Sequence, residues 1–345
     1  MIICEKSTAV VILSYNSVNW HKLFLPKIVE QSTSGYEVIV VDHASPDDTA
    51  EYISANYPSV KLICLEKNLG FAGGYAAALE QIKADYYVLL SADFEVTDNW
   101  FPPLLNAFNS NPQLAACQPK VRYYKDRPYF EYAGAAGGFM DKWGYMFCRG
   151  RIFDTLEVDE NQYQTSIEVF WASGGCLMVR ADLYHKVGGL DADLQSHMEE
   201  IDLCWRLQNE GYKIGVIPSS TVFHVGGSVI SYGSPQKTYL NFRNNLAIIV
   251  KNDTEARVKW LIPLRLILDG VACLPFLKKG QFNNIWAVVK AHNHFFRSYK
   301  LWKNKRKKTV SSNIPTIFNQ SIVWQYFAKN KRKFSDLNIK THTLN

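Results

Sequence analysis

The sequence predicts an α/β fold with a mostly parallel central sheet flanked by helices, followed by a C-terminal helical extension. Two observations carry that reading. Four short runs rich in β-branched residues, "TAVVILSYN", "EVIVVDHAS", "VKLICLEKN" and "YYVLLSADF", recur early in the chain and are apolar on both faces, as strands buried in a parallel sheet are. Each is followed by a segment able to form a helix, and right-handed βαβ crossovers bring the carboxyl ends of all such strands to one edge of the sheet.

Composition agrees with this. The 345 residues are 47% hydrophobic, enough to bury a large core, and the length suits two domains or one large domain with additions. Cys4, Cys64, Cys117, Cys148, Cys176, Cys204 and Cys273 are odd in number, scattered and free of C-x-x-C pairs, which argues against a disulfide framework or zinc ribbon and fits a reducing cytosol. The start, "MIICEKSTAVVILSYN", lacks a basic segment ahead of a cleavable apolar stretch and reads as a strand rather than a signal peptide. The net charge of +6 is concentrated late, in "KLWKNKRKKT" and "KNKRKF", so the C-terminal part suits an anionic surface.

Taken in order, the first run ends at Asn16 and the second at Asp42. In "SPDDTAEYISANY" Ser45 can cap a helix with Pro46 at its first position and Asp48 at its third. The third run ends at Asn68, and "NLGFAGGYAAAL" then allows close backbone approach at Gly70, Gly73 and Gly74, before a helix whose N-terminus can attract anions. The fourth ends at Ser91, Ala92 and Asp93, with Thr97 placed to cap the next helix.

The middle, about 114–225, is mixed. "VFWASGGCLMVRADLYHKVGGLD" reads as loop, strand and a short helix stopped by Gly188 and Gly189. "SHMEEIDLCWRLQNEGYKIGVIP" reads as a helix from about Glu199 to Glu210, stopped by Gly211, and then a strand; "TVFHVGGS" is a last strand ending at His224. From about Glu255 the chain becomes strongly apolar. "VKWLIPLRLILDGVACLPFLKKG" is interrupted by Pro263, Arg265, Asp269 and Pro275, so it falls short of a crossing helix, and with "IWAVVKAHNHFFRSYKLWKNKRKK" behind it the segment suits the plane of an anionic membrane surface. A helical pair covering the sheet, or a dimer contact, is the structural alternative. The expected units are 1–250, 251–310 and a tail, 311–345.

Asn16, Asp42, Asn68 and Asp93 are expected in one crevice, a polar row suited to a phosphate-bearing ligand with a metal ion. Asp93 is a hard-oxygen ligand for Mg²⁺ or Mn²⁺ or else a helix cap. Asp42 either bonds a nucleoside or closes an Asx turn. Ser196 and Glu199 fit a capping box, which leaves Glu200 and Asp202 without a structural role; Glu200 is then a candidate general base, and a first-turn charge cluster favoured by the helix dipole is its rival reading. His224 is a satisfied structural histidine unless it shares the crevice with Asp93, where the pair would suit Mn²⁺.

The ordered blocks "ILSYN", "VVDHASPDDT", "EKNLGFAGG", "LLSADFEVT", "WASGGCLMVRADLYHKVGGLD", "MEEIDLCWRL", "FHVGGS" and "YLNFRNN" resemble the family-two glycosyltransferases of GT-A fold, particularly their bacterial rhamnosyltransferase-like branch, over about residues 7–250. The resemblance implies an inverting glycosyltransferase using Mn²⁺ or Mg²⁺ and a UDP- or dTDP-linked sugar. Donor contacts fall to Asn16, Asp42, Asn68, Gly70, Ser91, Ala92, Asp93 and Arg243. Metal contacts fall to Asp93 and His224, with Ser91 standing where the family's D-x-D motif has its first acid. Glu200 matches the catalytic acid of the E-D motif, with Glu199 and Asp202 as the neighbouring alternatives, and Trp171, Gly174 and Gly175 are the acceptor-side residues. The expected acceptor is a glycan or polyprenyl-linked glycan, the basic, aromatic C-terminal region suiting a lipid-linked one at the inner face of the cell membrane, and nucleic acid is not an expected partner. A sugar-nucleotide pyrophosphorylase, a non-catalytic carbohydrate-binding protein and a structural membrane-interaction protein are the rival functions.

Overall fold

The computed structural model describes residues 6–131, 134–226, 233–307, 311 and 314–344. Cys4, Gly227, Ser228, Lys308 and Thr309, quoted in the motifs above, lie outside them. The four early strands form as expected: β1 (Thr8–Ser14), β2 (Glu37–Asp42), β3 (Lys61–Cys64) and β4 (Tyr86–Ser91). They pair in the order β3-β2-β1-β4, all parallel, with Ser14 level with Asp42 and Asp42 level with Cys64. α1 (Val18–Glu30), α2 (Thr49–Asn56) and α3 (Gly70–Leu79) make the connections. β1, β2 and β4 are almost wholly buried, as apolar side chains on both faces require; β3 is the sheet's edge and stays partly exposed.

Two expected caps are corrected. Ser45 does not cap a helix: its hydroxyl accepts the Asn16 N–H at 3.0 Å, while its own N–H donates to Asp42 Oδ2 at 3.3 Å, and α2 begins only at Thr49. Thr97 donates its hydroxyl to the Thr221 carbonyl at 2.7 Å, bonding the chain after β4 to a distant strand instead of starting a helix.

Past β4 the sheet is mixed rather than mostly parallel. After β5 (Phe94–Val96), α4 (Pro102–Ser110) and β6 (Leu114–Tyr123), the strands β7 (Gly138–Asp141), β8 (Met146–Cys148), β9 (Arg151–Ile152) and β10 (Thr155–Leu156) form a separate small sheet. The chain re-enters the main sheet as β11 (Ile167–Glu168) and β12 (Cys176–Arg180) and, after α5 (Ala181–Val187) and α6 (Glu199–Asn209), as β13 (Lys213–His224). β12 lies between β4 and β6, antiparallel to both; β13 is parallel to β6, and β5 and β11 pair with β13 antiparallel.

After α7 (Pro235–Asn252), the expected helical extension is present as α8 (Glu255–Ala272), α9 (Leu274–Lys278), α10 (Phe282–Arg297) and α11 (Tyr299–Asn304). Ser234 caps α7 through the Lys237 N–H, with Pro235 in the first turn, and α8 and α10 pack on α7. α8 is amphipathic in the inverted sense. Arg265 and Asp269, expected as interruptions, turn inward and pair with each other, while Trp260, Ile267 and Val271 are 48%, 67% and 55% exposed. By length and composition, Glu255–Lys278 does reach what a crossing helix needs: its most apolar 18-residue window has a mean hydropathy of 1.7, with 22% of that window buried.

Residues 314–344, expected as a tail, are built into the body of the protein. β14 (Ile317–Phe318) adds to β7 in parallel, Asp141 Oδ2 accepts the Ile322 N–H at 2.8 Å, and Glu157 Oε1 accepts the Phe334 N–H at 3.0 Å. The Phe334 ring packs among Phe139, Phe147 and Tyr163. Phe334→Ala would open a cavity there at a cost of about 3–5 kcal/mol, read as a lower urea midpoint together with faster proteolytic release of a C-terminal fragment.

Candidate active site

The carboxyl ends of β1 and β4 and the loops beyond them open into a cavity of about 890 Å³. Of the residues expected on the donor side, Asn16, Asn68, Gly70, Ser91, Ala92 and Asp93 line it, as do Trp171, Gly174, Gly175, Glu199, Glu200 and His224. Asp42, Asp202 and Arg243 do not.

Each of those three is engaged elsewhere. Asp42 accepts from Ser45, and its other oxygen is buried without a hydrogen-bond partner; its neighbour in the chain, His43, does line the cavity. Asp202 is fully buried against Arg206 at 2.7 Å, Lys251 at 2.8 Å and Asn252 at 2.7 Å; burial opposes ionisation, but the two cations outweigh it and hold the carboxyl far below its usual range. That is a structural ion cluster, not a free base. Arg243, expected on the diphosphate, is 1% exposed and donates to the carbonyls of Leu194 at 2.9 Å and Asp193 at 3.2 Å.

The glycine-rich stretch is also reassigned. The N–H of Gly70 is taken by Asn68 Oδ1, that of Leu69 by His43 Nε2 and that of Ala72 by the Gln195 carbonyl, so this helix start is not an open anion cradle. Gly70 has φ +74°, and a Cβ there would sit 3.2 Å from Gln195 O; a Cβ on Gly74 would meet His43 at 2.8 Å. The small residues let α3 close on β1 and on the turn before α6.

That turn decides the site. Gln195, His197 and Met198 all adopt positive φ, of 65°, 67° and 73°, a conformation that costs a non-glycine residue roughly 1–2 kcal/mol. Asn244 on α7 holds it: its Nδ2 lies 2.9, 3.0 and 2.7 Å from the carbonyls of Leu194, Ser196 and His197, and Arg243 Nε fixes the amide through Oδ1 at 2.7 Å. Ser196 is therefore no cap, and the expected capping box with Glu199 does not form; Met198 stands at the N-cap without a side-chain bond.

Glu199 and Glu200 leave the turn side by side, each with one buried carboxyl oxygen lacking a hydrogen-bond partner. Burial, then the neighbouring Glu200, pushes Glu199 well above the carboxylate range; burial lifts Glu200 to about 7, partly opposed by backbone N–H groups at the helix start. A carboxyl poised near neutrality can take a proton from a hydroxyl. The paired glycines make room for it: a Cβ on Gly174 would lie 3.2 Å from the Glu200 Cβ, and one on Gly175 would strike the Phe94 ring at 2.6 Å.

In the same cavity, His224 stacks on Phe94 with ring centroids 4.2 Å apart, its Nε2 3.3 Å from Asp93 Oδ2 and its Nδ1 3.2 Å from Glu131 Oε1. Burial disfavours the imidazolium, but Glu131 and Asp93 override it and raise the histidine to about 10. A carboxylate oxygen beside an imidazole nitrogen, with a second carboxylate behind the ring, is a donor set that fits a divalent ion of Mn²⁺ type, which would displace the proton. Among the described residues no group of three or more His, Cys, Asp or Glu could hold a metal unaided.

Sequence reasoning missed His43, Glu131, Asn244 and the polar stripe Lys237, Asn241 and Asn245, which lines the cavity from one face of α7. The stripe's four-residue spacing was legible; Glu131 had no local signal at all.

A mixed α/β sheet with a cavity at its strand ends, lined by an acid pair and an acid–histidine pair, is the layout of a GT-A glycosyltransferase. Residues 9–188, more than half of the chain, match the model of Glycosyl transferase family 2, and the protein belongs to that family and is a glycosyltransferase. It is 25% identical over 283 residues, 77% of this chain and 90% of the relative, to N-acetylglucosaminyl-diphospho-decaprenol L-rhamnosyltransferase of Mycobacterium tuberculosis. The fold is shared with S. aureus TarS 1-349 in complex with UDP-GlcNAc (TM-score 0.54, 14% identity, covering 89% of this chain and 93% of that one). It is also shared with the mannosyltransferase PcManGT from Pyrobaculum calidifontis in complex with GDP-Man and Mn²⁺ (TM-score 0.51, 16% identity, covering 86% and 83%).

Asn244→Ala would release the 194–197 carbonyls and let Glu200 drift. A displacement of that kind is expected to lower turnover by about 100-fold, while the thermal shift produced by nucleotide and Mn²⁺ persists; equal loss of both would mean the site as a whole had collapsed.

Proposed function

We propose that the chain transfers a sugar, with inversion, from a UDP- or dTDP-linked donor to a hydroxyl of a glycan or polyprenyl-linked acceptor at the inner face of the cell membrane, in cell-surface polysaccharide synthesis. One observation carries the reading: Glu200, with an unpartnered carboxyl oxygen, shares a single cavity with the Asp93–His224 pair. The lipid-diphosphate acceptor in the name of the mycobacterial relative supports the acceptor class.

Asn16, Asn68 and the Ser91–Asp93 turn would receive the nucleoside diphosphate. Asp93 and His224 would hold Mn²⁺ or Mg²⁺, with Glu131 orienting the imidazole from behind. When bound, the ion supplies positive charge against the charge developing on the departing diphosphate. Glu200 takes the proton from the acceptor hydroxyl as it attacks the anomeric carbon from the opposite face, and the protonated Glu199 beside it keeps a second negative charge out of the site. Trp171, Gly174 and Gly175 border the acceptor's approach.

The outward face of α8 to α10 supports peripheral membrane attachment. Ile267, Val271, Leu274, Leu277, Phe282 and Trp286 are all more than half exposed, and Lys278, Lys279 and Lys290 lie among them.

Three measurements test the enzymatic reading. Release of nucleoside diphosphate from a panel of UDP-, dTDP- and GDP-sugars should depend on Mn²⁺ and stop on chelation; no release from any donor would refute it. Glu200→Gln should lower turnover by about 10²–10⁴-fold without weakening donor binding. In the unaltered enzyme the rate should fall as pH drops through about 7, because only the ionised carboxylate accepts a proton. A flat profile from pH 5 to 8 would remove Glu200 from the role.

A further inference from the structure

A second exposed apolar surface lies outside the helical extension, on the segment 324–333. Trp324–Ala328 forms a single π-helical turn in which Gln325 and Tyr326 point inward while Trp324 and Phe327 stand 60% and 64% exposed. The turn is firmly seated. The Tyr326 hydroxyl bonds Thr155 Oγ1 at 2.8 Å, the Arg332 guanidinium lies 3.9 Å from the centre of the Tyr326 ring, and the Trp324 N–H donates to Ser321 Oγ at 3.2 Å. Two large aromatic side chains are thus held outward on a rigid base, so docking them costs little further ordering.

Two more observations identify what covers them. Lys329, Lys331, Arg332 and Lys333 follow within the same segment, and no acid occurs between Trp324 and Phe334. Exposed aromatic rings beside a cluster of cations match an anionic lipid surface, where rings sit at the headgroup boundary and the cations meet lipid phosphates. The segment also borders the cavity. Phe153, one of the cavity's lining residues, packs against Tyr326 at 4.9 Å and Phe327 at 5.2 Å. Arg265, Asp269 and Ala272 of α8 line the same cavity, so both exposed apolar surfaces adjoin it.

We propose that the Trp324–Lys333 segment is a second membrane footing, binding anionic phospholipid at the cavity's margin and acting together with the α8 to α10 face. This rests on the peripheral-membrane reading above and extends it to a part of the chain that the extension does not include. Two footings bordering one cavity would hold its mouth against the bilayer, where a lipid-linked acceptor is presented.

Flotation of the full-length chain with vesicles of phosphatidylcholine, alone or with about 30% phosphatidylglycerol, tests the proposal. Trp324→Ser combined with Phe327→Ser alters only exposed side chains; an unchanged thermal midpoint will show that the variant is folded. Its partitioning onto the anionic vesicles should fall at least tenfold, and Lys329→Gln combined with Lys331→Gln should remove most of the preference for anionic over neutral vesicles. Ile267→Glu, on the outward face of α8, separates the two ideas. If Ile267→Glu releases the protein while the Trp324 and Phe327 substitutions leave partitioning intact, peripheral attachment stands and the second footing is refuted. If none of the variants alters partitioning, both are refuted.

Discussion

The site depends on the grip of α7 on the turn that precedes α6. Three consecutive side chains, Arg243, Asn244 and Asn245, bond backbone carbonyls of other elements: Arg243 and Asn244 hold the 193–197 turn and Asn245 holds Gly144 of the small sheet. A turn with three non-glycine residues at positive φ would relax if left alone, and its conformation alone aims Glu199 and Glu200 into the cavity. Farther along α7, Lys251 and Asn252 bond Asp202 on the first turns of α6, so one helix fixes both the entry to α6 and its body.

Charge is divided between two kinds of environment. Asp202, enclosed by Arg206 and Lys251, is satisfied, ionised and inert, whereas Glu200, two positions earlier, has a buried carboxyl oxygen and no cation acting on it, and so sits near neutrality. The difference follows from helical geometry. First-turn positions two apart face different neighbours, so two carboxylates close in the sequence take opposite roles in space. Asp93 and His224 show the same principle, since Glu131 behind the imidazole sets the histidine's proton and orientation.

Much of the fold was legible in local pattern. The four two-faced apolar runs became the parallel half of the sheet, and Asn16, Asn68 and Asp93 reached the shared cavity because strand polarity alone sends their ends to one edge. The helix read from about Glu199 to Glu210 forms at Glu199–Asn209. What was misread depended on partners distant in the sequence: Ser45 and Thr97 bond other segments instead of capping helices, Arg243 turns inward, and residues 314–344 join the small sheet through Asp141 and Glu157.

The sequence by itself determined the α/β class, the common edge where the early strands end and the presence there of acids, amides and a histidine, because these follow from periodicity and chain direction within short windows. Only the tertiary structure decided which acid is free and which is paired, which way the charges of α8 face and how the turn before α6 is held. Those outcomes rest on hydrogen bonds and ion pairs between segments far apart along the chain, whose energies no local pattern encodes.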